Sequence, residues 1–215
     1  MDIGILGTGI VGQTIGSKLV QIGHKVMMGS RTVDNPKALN WAKEEGPNAF
    51  YGDFADAAAY GELVFNCTQG SASLLALRQA GAGNLKGKIL IDTSNPIDFT
   101  TEIPTLTICN TDSLGEQIQR AFPETHVVKT LNTMNANVMV NPEKLIEYTD
   151  VFVSGNDPNA KAEVAGYLRT WFGWKTVIDL GDITTSRGVE MFLILWLDLR
   201  RVESAKRMNI KLVTS

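Results

Sequence analysis

Residues 2–12 read Asp2-Ile3-Gly4-Ile5-Leu6-Gly7-Thr8-Gly9-Ile10-Val11-Gly12, an apolar strand running into the spacing Gly7-x-Gly9-x-x-Gly12. Each glycine answers a physical demand. Gly7 permits a tight turn, Gly9 lets the backbone approach a pyrophosphate, and Gly12 lets the following helix pack closely on the strand. A helix starting near Ile10 offers free N–H groups and its positive dipole end to phosphates. Val11, Ile15, Leu19 and Ile22 continue at helical spacing, which completes the strand–turn–helix context. The reading is a dinucleotide site contributed by Gly7, Thr8, Gly9, Ile10, Val11 and Gly12.

Outward from this turn, apolar strand-like runs recur at 3–6, 25–28, 49–51, 63–67, 89–92, 127–131, 151–154 and 176–179, separated by helix-like segments. Strands alternating with helices indicate an α/β, Rossmann-type doubly wound sheet. The runs are nearly continuous in hydrophobicity, so a mainly parallel sheet covered on both faces is expected. Asn35-Pro36 and Asp157-Pro158 each supply a cap residue and a first-turn proline, and Gly46 and Gly173 stop the helices they open. From Ile183 onward the chain reads as one long helix and a tail. The expected organisation is a Rossmann-type dinucleotide-binding domain over 1–182, with 183–215 a C-terminal helical segment and tail of the same globular unit.

At the end of the second strand an NAD site usually carries an acidic residue on the ribose 2′-hydroxyl. Here the strand runs into Gly29-Ser30-Arg31-Thr32. Ser30 and Thr32 offer hydroxyls and Arg31 a guanidinium fork suited to a 2′-phosphate, so NADP(H) is expected. The alternative is that Arg31 is a solvated loop arginine, and Asp34, slightly farther on, is the chief residue in its favour. Ligands of open parallel sheets lie beyond the carboxyl ends of the strands. Those ends carry Cys67, Thr68 and Gln69, then Ser94, Asn95 and Pro96, all read as cofactor-binding, and then Asn132, Thr133 and Met134, read as the acceptor pocket. This lining is polar but almost uncharged, and no catalytic acid or base is expected. The two histidines, His24 and His126, sit where strands begin and read as structural. Lys129 reads as a lysine covering a strand end, and Cys67 as a buried, inert thiol.

The whole chain has 215 residues, 44% hydrophobic and 20% charged, with 20 basic and 23 acidic side chains and a net charge of −3. No basic cluster gives the footprint of a nucleic-acid binder. Cys67 and Cys109 have no metal-ligand spacing, so no metal is expected, and two isolated thiols suit a reducing compartment. The N-terminal apolar run lacks a basic region before it and is broken by glycines, so it reads as a strand and a turn, not as a signal peptide. The run at 191–197 is far shorter than the roughly 20 residues that span a bilayer. A cytoplasmic protein without membrane contact is expected. The same run is apolar all round a helix, which suggests a homodimer through that helix.

These motifs together resemble the NADP oxidoreductase family typified by deazaflavin (coenzyme F-420)-dependent NADP reductases. They are also similar to the nucleotide-reducing domain of six-transmembrane metalloreductases. The resemblance rests on the glycine turn, Gly29-Ser30-Arg31, Ser94-Asn95-Pro96, Lys129-Thr130-Leu131-Asn132-Thr133, and the segment from Asp179 to Arg187. It implies hydride transfer between NADP(H) and a deazaflavin, FMN or FAD, with no obligatory catalytic base. In one respect the chain departs: the deazaflavin enzymes tend to have histidine in a Leu-His-Thr sequence where this chain has Leu131-Asn132-Thr133. Two other readings stay open at this point. One is a reductase of a small carbonyl or imine, which generally needs a proton donor and a larger C-terminal helical domain. The other is a non-enzymatic NADPH-sensing protein.

Overall fold

A computed structural model describes residues 1–100, 102–203 and 207–214. The chain alternates strand and helix from its start: β1 (Asp2–Leu6), α1 (Ile10–Gln21), β2 (Lys25–Ser30), α2 (Pro36–Glu45), β3 (Ala49–Asp53), α3 (Phe54–Tyr60), β4 (Leu63–Asn66) and α4 (Gly70–Ala80). A short α5 (Ala82–Leu85) leads to β5 (Ile89–Asp92), a small hairpin of β6 (Ile97–Asp98) and β7 (Thr105–Leu106), α6 (Leu114–Ala121) and β8 (His126–Thr130). Then come α7 (Ala136–Val140), β9 (Asp150–Ser154), α8 (Pro158–Trp171), β10 (Thr176–Asp179) and α9 (Ser186–Glu203).

The main sheet has the order β10-β9-β8-β5-β4-β1-β2-β3. Its six central and right-hand strands, β8 to β3 in that order, are mutually parallel. The order reverses between β1 and β4, which makes the switch-point crevice where doubly wound folds bind ligands. All eight sequence-read strands are present, and the mainly parallel α/β architecture is as expected. The last two strands differ in direction. β9 runs antiparallel to β8, pairing Lys129 with Ser154 and Thr130 with Val153, and β10 is parallel to β9. Hydropathy reports burial on both faces and is blind to direction. The β8–β9 connection holds only the five-residue α7 and a one-turn 3-10 helix. A helix that short rises about 7.5 Å and cannot carry the chain back along the sheet, as a parallel crossover requires.

Both faces of the sheet are buried. Ile3, Ile5, Phe65, Ile91 and Val128 pack into one cluster with Ile15, Leu19 and Leu168, while Leu6, Val64, Leu90 and Val127 pack into the other with Leu77, Leu85 and Ile118. Strand neighbours thus point to opposite faces, as the two-residue repeat demands. The proline-led helices form where read: Asn35 accepts from the amides of Lys37 and Ala38, and Asp157 from that of Ala160. Helix α9 covers the β6–β7 hairpin through Leu193 and Trp196 against Ile97.

The glycine turn shows why two of its positions admit no side chain. Gly7 has φ +117°, and a Cβ there would lie 2.7 Å from the Cys67 carbonyl oxygen. A Cβ on Gly12 would overlap the Gly7 carbonyl oxygen. Gly12→Ala should therefore force α1 away from β1 and lower stability by about 1–3 kcal/mol, the usual scale of overpacking. Urea denaturation of the two proteins measures it, and an unchanged midpoint would show that the helix gives way freely.

Candidate cofactor site

The carboxyl ends of β1, β2 and β4 enclose a groove of about 360 Å³. One wall is the glycine turn, Gly7, Thr8 and Gly9, with Ser30 and Arg31 from the end of β2. The other is Cys67, Thr68 and Gln69 at the end of β4, continued by α4. Eight of the sequence-read cofactor residues therefore converge on one cleft, although they come from three strands. A Cβ at Gly9 would meet nothing within 4 Å, so here the glycine leaves room on the groove side instead of relieving a clash. The remaining turn residues lie outside the groove lining: Ile10 is 75% exposed, Val11 packs against the core and Gly12 is buried.

Both helices that start at this groove leave their first-turn amides open to an anion. Neither α1, which begins after Gly9, nor α4, which begins after Gln69, has a side-chain cap or an acidic first-turn residue. By contrast α2, α3, α6 and α8 are capped by Asn35, Asp53, Ser113 and Asp157. Uncapped first-turn amides keep their hydrogen-bonding capacity for a ligand, and both dipoles favour negative charge there. The residues present fit a dinucleotide pyrophosphate.

At the β2 end the Ser30 side chain is buried and donates to the Thr32 carbonyl at 2.5 Å, bending the chain so that Arg31 and Thr32 are exposed beside the groove. No carboxylate lines the groove. Six lining residues, Asn35, Phe54, Ala72, Leu75, Ala76 and Gln79, were not read as site residues in the sequence. They come from the start of α2, the start of α3 and one face of α4, and only packing brings them together. Asn35 carried a visible signal as a helix cap, but nothing in its spacing pointed at a ligand.

One strand farther along lie Ser94, Asn95 and Pro96, after β5, and two strands along lie Asn132, Thr133 and Met134, after β8. Asn95 and Asn132 hold each other: the Asn132 amide donates to Asn95 Oδ1 at 2.9 Å, and the Asn95 amide to the Asn132 carbonyl at 2.9 Å. Asn132 also donates to the Val189 carbonyl on α9 at 3.2 Å. Leu131, just before, has φ +61° while buried, a conformation that costs a leucine on the order of 1–3 kcal/mol unless its surroundings impose it. The amide pair is part of those surroundings. Asn132, Thr133 and Met134 are buried beneath this turn.

The reading of Lys129 is corrected. It does not cover a strand end: its side chain is fully buried, with Nζ 2.6 Å from Asp92, 2.8 Å from Glu190 and 2.7 Å from the Ser94 carbonyl. Burial opposes its charge, but the carboxylates of Asp92 and Glu190 outweigh burial and hold the ammonium above its ordinary pKa. Glu190 in turn accepts from the Leu114 and Gly115 amides at the start of α6. A lysine inside an otherwise apolar run was a legible sign of a buried partner, though which partner was not.

The histidines stand apart from the groove. His24 packs against Trp171, and His126 Nδ1 is 3.2 Å from Asp157. Cys67 does line the groove, but burial, reinforced by the Asp92 charge, pushes its thiol up to about 12. It is no nucleophile at neutral pH.

Residues 2–96, from β1 through the Asn95-Pro96 turn, match the family described as NADP oxidoreductase coenzyme F420-dependent. A crystal structure from Arthrobacter sp. fb24, named as a candidate F420-dependent NADP-reductase, is 50% identical and covers 99% of both chains, with a TM-score of 0.94. The chain belongs to the NADP oxidoreductase, coenzyme F420-dependent family. It is an oxidoreductase with the family's NADP-binding fold. Among curated relatives, Metalloreductase STEAP3 of Rattus norvegicus is 30% identical over 191 residues, 87% of this chain and 35% of that protein. Metalloreductase STEAP2 of Homo sapiens is 27% identical over 194 residues, again 35% of its length. The chain thus spans about a third of these relatives. A reductive aminase of Aspergillus terreus, in complex with NADPH, shares the fold at 17% identity and a TM-score of 0.64, covering 92% of this chain and 60% of that one. Among the described residues, no helix is long and apolar enough to cross a membrane.

The two thiols give a direct check on the site. With iodoacetamide at pH 8, exposed Cys109 should be alkylated and buried Cys67 spared, because only a thiolate reacts. Peptide mass mapping reads the outcome, and rapid modification of Cys67 would mean that the groove wall opens far more than its burial indicates.

Proposed function

We propose that this oxidoreductase binds NADPH across the carboxyl ends of β2, β1 and β4 and passes reducing equivalents to a deazaflavin, FMN or FAD-type acceptor. The observation that carries this reading is the single groove that joins the glycine turn to Arg31 with no carboxylate in its lining. Backbone amides at the start of α1 take the pyrophosphate. Ser30, Arg31 and Thr32 take the 2′-phosphate, for which a guanidinium fork is well matched. Cys67, Thr68 and Gln69, with Ser94, Asn95 and Pro96 beyond, border the nicotinamide end. Asn132, Thr133 and Met134 border the acceptor.

Bound NADPH supplies a hydride. The chain's own part is to hold two planar rings in register and keep water out. That can supply a large share of the rate without a titrating side chain. The absence of any ionisable group of suitable pKa from the groove lining supports this: Cys67 stays a thiol, and both histidines are elsewhere. Two free cysteines agree with a cytoplasmic setting.

The reading extends to a homodimer. Helix α9 leaves Leu195, Leu199 and Val202 exposed, at 53%, 40% and 81%. Exposed apolar surface of this kind marks interfaces, and a two-fold pairing of the helix with its copy would cover it. Sedimentation at micromolar concentration should give twice the 23.4 kDa chain mass. A soluble monomer removes the dimer from the proposal.

Two measurements test the cofactor and the acceptor. Arg31→Ala should weaken NADPH binding by about 1.5–3 kcal/mol, the scale of a charge-assisted hydrogen bond, and leave NADH almost unaffected. Equal losses for both would take Arg31 out of the 2′-phosphate role. Purified protein and NADPH, offered deazaflavin, FMN, FAD, quinones and small carbonyls in turn, should lose nicotinamide absorbance with a flavin-type acceptor. Turnover confined to carbonyls or imines would replace this reading with the carbonyl-reductase one.

A further inference from the structure

A continuous buried hydrogen-bond chain leaves the groove wall and runs beneath the strand ends. It begins at Thr68, which lines the groove and whose hydroxyl and amide both donate to Asn66 Oδ1, at 2.6 and 3.3 Å. The Asn66 amide donates to Asp92 Oδ1 at 2.8 Å. Asp92 Oδ1 also accepts from the Ser94 amide at 3.1 Å and the Ser94 hydroxyl at 2.6 Å. Its other oxygen faces Lys129 Nζ at 2.6 Å, and Lys129 closes back on the Ser94 carbonyl at 2.7 Å. Ser94 is therefore gripped at its amide, its hydroxyl and its carbonyl by one ion pair. Asn66, Asp92 and Lys129 are each fully buried, so water does not compete for these bonds.

The geometry of the sheet says what such a grip is for. The groove follows the strand ends from β2 through β1 to β4, and β5 is the next strand in that order. A dinucleotide whose 2′-phosphate lies at Arg31 extends its nicotinamide toward the loop that follows β5, which is the loop holding Ser94 and Asn95. Gly70, at the start of α4, marks the same contact: a Cβ there would overlap the Asn95 carbonyl oxygen, so this loop seats directly on the helix end at the groove. Asp92 and Lys129 are also register partners across β5 and β8.

We propose that the Asp92–Lys129 pair is a positioning device for the nicotinamide half of the cofactor, acting through Ser94 and Asn95 and leaving the adenosine half untouched. The inference rests on the NADPH reading above. Neither residue touches the groove; each sets the backbone of a loop that does. A plain scaffolding role would weaken both halves of the site alike, or neither.

The test compares two probes on the same protein: NADPH, and adenosine 2′,5′-bisphosphate, which carries the adenosine half and no nicotinamide. In Asp92→Asn the amide nitrogen or the lost charge disturbs Lys129 and the Ser94 grip, while Lys129 keeps Glu190. NADPH affinity should fall about tenfold or more, on the scale of losing a hydrogen bond to a charged group, with bisphosphate affinity unchanged within about twofold. The double variant Asp92→Asn/Lys129→Met guards against a stranded charge. It removes both members, and Glu190 stays satisfied on the Leu114 and Gly115 amides. It should show the same split in a protein whose thermal unfolding remains cooperative. Parallel losses for both probes, or no loss for either, would overturn the positioning role. Failure of the unmodified protein to bind either probe would overturn the NADPH reading itself, and this inference with it.

Discussion

Lys129 is a fully buried cation in the centre of this sheet, and much of the ligand edge depends on its staying charged. An ammonium in an apolar interior is expensive to desolvate, and removal of one partner from such a cluster typically costs about 3–5 kcal/mol. Here the charge is met by Asp92 in the neighbouring strand and by Glu190 from α9, with the Ser94 carbonyl as a third acceptor. The cluster thereby ties β5, β8, α6 and α9 at one point. It also explains the position of α9: Glu190 reaches both Lys129 and the first amides of α6, so the helix cannot shift without stranding a buried carboxylate.

The strained turn at Leu131 follows from the same arrangement. With β8 anchored by Lys129, the chain must bend sharply to keep Asn132 in its reciprocal bond with Asn95 and against the Val189 carbonyl. Three otherwise separate segments, after β5, after β8 and within α9, are thus joined by amides as well as by the ion cluster. A rigid, uncharged border of this kind suits a reaction in which two rings need alignment more than they need a proton.

On the other side of the sheet centre the logic is reversed, because there the polymer leaves groups unsatisfied. The starts of α1 and α4 go without the side-chain caps that α2, α3, α6 and α8 possess. Free amides at the end of a helix are tolerable where water or a ligand reaches them. Both lie at the groove, and the exposed Arg31 guanidinium adds a full positive charge beside them. The site thus combines a tightly satisfied half, around Ser94 and Asn132, with a deliberately open half at Gly9.

Local sequence determined the strands, the capped helices and the phosphate turn. An apolar run such as 63–67 buries itself whatever its neighbours do, and Gly7, Gly9 and Gly12 admit few other uses at that spacing. Ser30 and Arg31 were legible for the same reason, since they stand at a fixed offset from a recognisable strand. Tertiary structure alone decided the direction of β9 and β10, because hydropathy is the same for a strand read either way. It alone brought Asn35, Phe54, Leu75 and Gln79 to the groove, from helices whose packing angles no short window contains. The pairing of Lys129 with Asp92 and Glu190 joins residues that are 37 and 61 positions apart in the numbering. The sequence announced a buried lysine; which carboxylates would meet it depended on how β5, β8 and α9 came together, since charge pairing acts through space and leaves no periodicity along the chain.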